Sequence, residues 1–107
     1  MWTSNRMKLL DVVPAHDGVH KYKAVFLQDS GRKRTTAFGA VGYKDFIQYS
    51  KEDTDLAAEH KSHYLSRHRK TERWDQPMTA GALSRWILWG EPALQSSVEA
   101  FRKKFHL

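Results

Sequence analysis

Cysteine is absent from the 107 residues, which removes disulfides, thiolate catalysis, cysteine-bound zinc and iron–sulfur clusters together. No apolar run approaches the roughly eighteen residues that a membrane helix needs. Residues 1–13 (MWTSNRMKLLDVV) also lack the apolar core of a signal peptide. An intracellular protein, neither secreted nor membrane-spanning, is the expectation. Internal repeats and low-complexity tracts are missing. So are the signatures of common catalysts: there is no phosphate-cradling glycine loop, no nucleophile elbow and no HExxH pair.

What is there suits one small domain over 1–107. Hydrophobic residues make up 40%, with four Trp, four Tyr and five Phe, enough for a modest core. Eighteen Lys and Arg against twelve Asp and Glu give a net charge of +6 and a pI near 9.7. That balance suits phosphate-rich partners or acidic surfaces.

Residues 7–13, 20–28 and 33–38 are rich in Val, Leu, Tyr, Phe and Thr and are separated by turn formers, so they read as three antiparallel strands. In the second, Tyr22, Ala24 and Phe26 share one face, which should meet the helices. Asp29-Ser30-Gly31 is a three-residue hairpin loop with Gly31 in the left-handed position, and Asp17-Gly18, Gly39 and Gly42 mark the other bends. From Ser50 the pattern turns helical. The spacing predicts a helix over 51–72 capped by Ser50, with Leu56, Ala57, His60, Tyr64 and His68 on one side. A second follows from Ala80 to Trp89, capped by Thr79 and ended by Gly90. A third carries Pro92 in its first turn and the stripe Leu94, Val98, Phe101 and Phe105. Strands at 7–38 followed by helices at 51–105 predict an α+β fold: a small three-stranded antiparallel sheet, then three helices packed on one face.

Three stretches carry a likeness. They are Phe38-Gly39 with Gly42-Tyr43-Lys44-Asp45; Tyr64-Leu65-Ser66-Arg67-His68-Arg69-Lys70-Thr71-Glu72-Arg73-Trp74; and Thr79-Ala80-Gly81-Ala82-Leu83-Ser84-Arg85-Trp86-Ile87-Leu88-Trp89-Gly90. Over roughly residues 8–105 the chain resembles a family of small uncharacterised proteins encoded by nucleocytoplasmic large DNA viruses and by some algae and other protists. The stretch Ser50 to Ala58 is longer than the family's pattern. The resemblance implies an intracellular or virion setting and brings no activity, cofactor or catalytic residue with it.

The charge of the long helix is polarised. Residues 51–60 hold one base and four acids, net −3, whereas 61–73 hold five bases and one acid, net +4. Phosphate neutralisation needs several cations within reach of one backbone. Arg32, Lys33 and Arg34 at the hairpin, with Lys61, Arg69, Lys70 and Arg73, meet that need. His63 and Tyr64 among them could stack on unpaired bases. Helix-turn-helix, zinc-finger and RNP signatures are absent. The competing reading is a solvated face whose bases pair locally, Arg69 with Glu72 and Arg73 with Asp75.

Arg67, His68 and Arg85 sit close to Tyr64, Trp74, Trp86 and Trp89 and could brace two helices or line an anion pocket. On the wheel Arg67 falls beside Leu56 and His60, facing protein. Trp86 and Trp89, i and i+3, cannot both enter a small core with Leu83, Ile87 and Leu88. One exposed Trp beside Trp74 or Trp2 would anchor a protein partner or a homo-oligomer. His60, His63, His68 and Glu59 fall short of a metal ligand set, and Ser62, Ser66 and Ser84 lack an oxyanion loop. No metal, cofactor or catalytic residue is expected. The expected function is non-enzymatic binding of nucleic-acid phosphates with little sequence selectivity, DNA ahead of RNA. The rival is a structural or adaptor protein, such as a minor virion or assembly component, docking through Trp74, Trp86 and Trp89.

Overall fold

A computed structural model describes residues 7–107 of the chain; Trp2 lies outside them. Strands β1 (Lys8–Pro14), β2 (His20–Leu27) and β3 (Lys33–Ala40) form an antiparallel sheet in the order β1-β2-β3. The β2–β3 turn forms as its residues dictate. Gln28 N–H donates to Arg32 O, Gly31 N–H donates to Gln28 O, and Gly31 takes a φ of 87° that a side chain would strain. Ala24 and Phe26 are buried and Tyr22 half-buried, so the inward face of β2 is the expected one. On β1 the register shifts between Leu9 and Asp11, a bulge. Arg102 donates to the carbonyls of Leu9 and Leu10 there, tying a C-terminal helix to a sheet edge.

The long helix is two helices. Residues Phe46–Glu52 form α1 and Thr54–His68 form α2, meeting at Asp53, whose extended backbone ends one and whose carboxylate accepts the Asp55 and Leu56 N–H groups of the next. Ser50 is therefore inside a helix and not a cap. The true start is Asp45, where Asp45 and Gln48 form a reciprocal capping box. The ammonium of Lys21 on β2 joins both side chains at 2.7 Å, fixing α1 to the sheet.

Thr79 caps α3 (Ala80–Leu83) through the Ala82 N–H, as the sequence suggests. The helix then widens into a π turn, Ser84–Leu88, closed by Trp89 N–H to Ser84 O. Gly90 sits just past it without a left-handed φ. Space is its reason: a Cβ there would lie 2.2 Å from the Trp86 carbonyl oxygen. Pro92 precedes α4 (Leu94–Phe105) and does not enter its first turn, since Ala93 is the cap. The α4 stripe packs as expected, Val98 and Phe101 buried, Leu94 and Phe105 half-buried. The result is α+β, with four helices rather than three, and one core joining Leu9, Phe26 and Phe38 of the sheet to Ile47, Tyr64, Leu83, Ile87 and Phe101. Among the described residues no helix is long and apolar enough to cross a membrane.

Candidate nucleic-acid interface and adjoining cleft

Helix α2 ends with Arg67 and His68 in its last turn and Arg69 as its cap. The chain then winds through tight turns, with Thr71 and Glu72 N–H donating to His68 O, Gln76 to Arg73 O and Thr79 to Gln76 O. Arg69, Lys70 and Arg73 stand exposed on this connection. The local ion pairs that would occupy them do not form. Glu72 turns inward instead, its carboxylate accepting from His68 Nδ1 at 3.0 Å and from the Trp74 indole N–H at 3.0 Å. The four ion pairs among the described residues are His20–Asp17, Lys21–Asp45, Lys44–Glu52 and His68–Glu72, and none uses Arg69, Lys70 or Arg73.

The hairpin cations divide. Arg34 pairs in register with buried Phe26, and Thr36 with Ala24, so Arg34 and Thr36 share the helix-side face. The Thr36 hydroxyl donates to Met78 O at 2.9 Å, which puts this end of β3 beside the connection that carries Arg69, Lys70 and Arg73. Lys33, the neighbour of Arg34, takes the opposite face, and Arg32 belongs to the turn. All three are exposed, and none forms an ion pair among the described residues. Lys61 departs from the set. Its ammonium donates to Gly90 O at 2.9 Å and lies 4.7 Å from the Phe46 ring, half-buried on another side of α2. Burial, with the charge of Arg85 second, holds that ammonium below its ordinary range, against the opposing pull of Glu91.

Beside the basic connection lies a cleft of about 500 Å³ between α1, the C-terminal half of α2, α3, the π turn and the ends of β2 and β3, within the size range of ligand pockets. Tyr49 stacks on His60 at 3.9 Å, and Tyr64 stacks between Trp89 and His68, each 4.5 Å away. These rings brace one another and leave few free faces. Tyr43, at the rim and 76% exposed, offers the open one. Arg67 also lines the cleft and is exposed, contrary to the wheel's placement against protein; Leu56, its wheel neighbour, is 41% exposed. Burial pushes the Tyr64 hydroxyl well above the ordinary phenol range, Glu72 adding to the effect and Arg85 and Arg67 opposing it. Tyr43, Tyr49 and Asp45 are cleft residues that sequence reasoning missed. The Asp45-x-x-Gln48 capping signal would have located α1 and brought Tyr49 with it.

Among the described residues, the tryptophans Trp74, Trp86 and Trp89 do not form a fully exposed patch. Trp89 is 9% exposed, under Tyr64. Trp86 and Trp74 are half-buried, with the Trp86 indole N–H donating to Trp74 O at 2.8 Å. Only Trp89 of the i, i+3 pair enters the core fully, in keeping with the spacing argument, while Trp86 stays half-buried under Arg85 and Lys104 rather than fully exposed. Arg85 braces this cluster through a carbonyl, donating to Trp89 O at 2.9 Å. His63 is exposed, and among the described residues no three His, Asp or Glu side chains converge as metal ligands do. Ser84 lines the cleft without a hydrogen bond to a histidine. Comparison of the chain with family models, with curated proteins and with solved structures gave no match.

Proposed function

We propose that the chain is a non-enzymatic binding domain that holds nucleic acid through its phosphates, with Arg69, Lys70 and Arg73 as principal contacts and Arg34 and Arg32 extending the track. The observation that carries this reading is that, among the described residues, no carboxylate pairs with those exposed cations, while Glu72, in the same segment, is committed to His68 and Trp74. Cations free of internal partners can displace the counterions condensed on the phosphates without first breaking an ion pair. Lys61 leaves the contact set because its ammonium is engaged at Gly90. The exposed ring of Tyr43 and the cleft behind it favour single strands, whose unpaired bases can stack on an aromatic face. The burial of Trp89 weighs against the adaptor reading.

Fluorescence anisotropy with a labelled single strand and its duplex, each at 50 and 200 mM salt, tests the proposal. Three phosphate contacts to a single strand predict log K falling against log salt with a slope of about −2. Tyr43→Ala should weaken single-strand binding by roughly 1–3 kcal/mol and leave duplex binding nearly unchanged. Affinity that ignores salt would end the reading.

A further inference from the structure

A second cavity, of about 370 Å³, lies on the other side of α2, between that helix, the π turn and α4. Three cations line it: Lys61, Arg85 and Lys104. Each is held in place by something other than an opposite charge. The guanidinium carbon of Arg85 sits 4.0 Å from the centre of the Trp86 ring, and Lys104 Nζ sits 4.2 Å from the same ring. Lys61 is fixed by Gly90 O and the Phe46 ring. None of the three forms an ion pair with a carboxylate among the described residues. Glu91 is the one acid that lines the cavity, and it is exposed.

The hydrogen-bond inventory is equally incomplete. Arg85 uses one terminal nitrogen on Trp89 O, and its Nε is buried without a partner. Lys61 has one protein acceptor for three donors. Lys104 contacts the Trp86 and Phe105 rings and has no hydrogen-bond or ion-pair partner among the described residues. Like charges gathered in a partly buried hollow repel one another, and three cations against the single exposed carboxylate of Glu91 leave positive charge for an anion to neutralise. The hollow depends on Gly90, because a side chain there would strike the Trp86 carbonyl.

We infer that this cavity is a binding site for a phosphate group, held by the side chains of Lys61, Arg85 and Lys104 against the face of Trp86. The site is separate from the basic connection after α2 and does not rest on the nucleic-acid reading. Two sources share the chemistry: free phosphate or a phosphate monoester, and the diester backbone of a polynucleotide.

The experiment follows the Trp86 indole N–H resonance by NMR, assigned with a Trp86→Phe variant. Inorganic phosphate is titrated at constant ionic strength against chloride, and an oligonucleotide without terminal phosphate is titrated separately. A saturable shift with phosphate, weakened roughly tenfold in Lys104→Gln, supports the site. Lys104 is exposed, so that variant should keep the fold, and Lys61→Gln provides a second reading from another helix. Saturation by phosphate with no oligonucleotide response assigns the free or monoester source, whereas saturation by both assigns the diester backbone. A shift that chloride reproduces, or one that both variants leave unchanged, would overturn the inference.

Discussion

The rings of Tyr64 and Trp89 lie parallel, 4.5 Å apart at 9°. This contact joins α2 to the end of the π turn and closes the floor of the cleft. It also decides which tryptophan is structural. Replacing Trp89 by Ala should cost roughly 3–5 kcal/mol, the range for deleting a large buried aromatic, read from urea unfolding. An exposed partner anchor at that position would cost under about 0.5 kcal/mol.

Gly90 makes a second stability prediction. An added Cβ would meet the Trp86 carbonyl oxygen at 2.2 Å, and backbone cannot swing aside as a side-chain end does. Gly90→Ala should therefore destabilise by at least about 1–3 kcal/mol, the cost of overpacking. Gly81→Ala is the comparison: its Cβ would sit 3.3 Å from the Glu72 side chain in a helix, where Ala is intrinsically favoured over Gly. It should come out near neutral by the same unfolding measurement.

Tyr64 predicts an alkaline signature. Its hydroxyl is held above the ordinary phenol value of 10.0 by burial, so between pH 10 and the folded value the native chain keeps a proton that the unfolded chain has lost. Stability supplied by the neutral phenol is complete below pH 10 and declines as pH rises, by at most about 1.4 kcal/mol per pH unit. Lys61 acts in the opposite sense, because its lowered value means the unfolded chain holds the extra proton and stability rises with pH there. Unfolding of the wild type and of Tyr64→Phe, compared from pH 8 to 11, isolates the tyrosine. The wild type should lose stability relative to the variant above pH 10, and parallel curves would refute the assignment.

Much of the fold was legible in local signals. Alternation in β2, the Asp29-Ser30-Gly31 turn, the Thr79 cap and the α4 stripe each depend on neighbours within a few residues, and each formed as read. The long helix was misread because helical periodicity continues through Asp53, while the break depends on its side chain capping the next segment. The π turn carries no local mark in the sequence. Of the cation set, exposure after α2 was legible from composition. The engagement of Lys61 with Gly90 was not, since the two are 29 residues apart in the chain. Nor was the turning of Glu72 toward Trp74, which frees Arg69. The cleft is assembled from six separate elements, the π turn among them, and only its Tyr64, Arg67, His68 and Trp89 portion stood out in the sequence.

On the proposed reading, position rather than net charge makes the end of α2 a phosphate-binding surface. Its most direct test compares two variants that each lower the net charge from +6 to +3: Arg69→Gln, Lys70→Gln, Arg73→Gln and Lys8→Gln, Lys51→Gln, Lys103→Gln, with all six wild-type side chains exposed. Single-strand affinity is measured across a salt series for each. The account predicts that the first triple flattens the salt slope by about 2 and loses most of the affinity at low salt, while the second stays close to wild type. Equal losses in the two triples would contradict it.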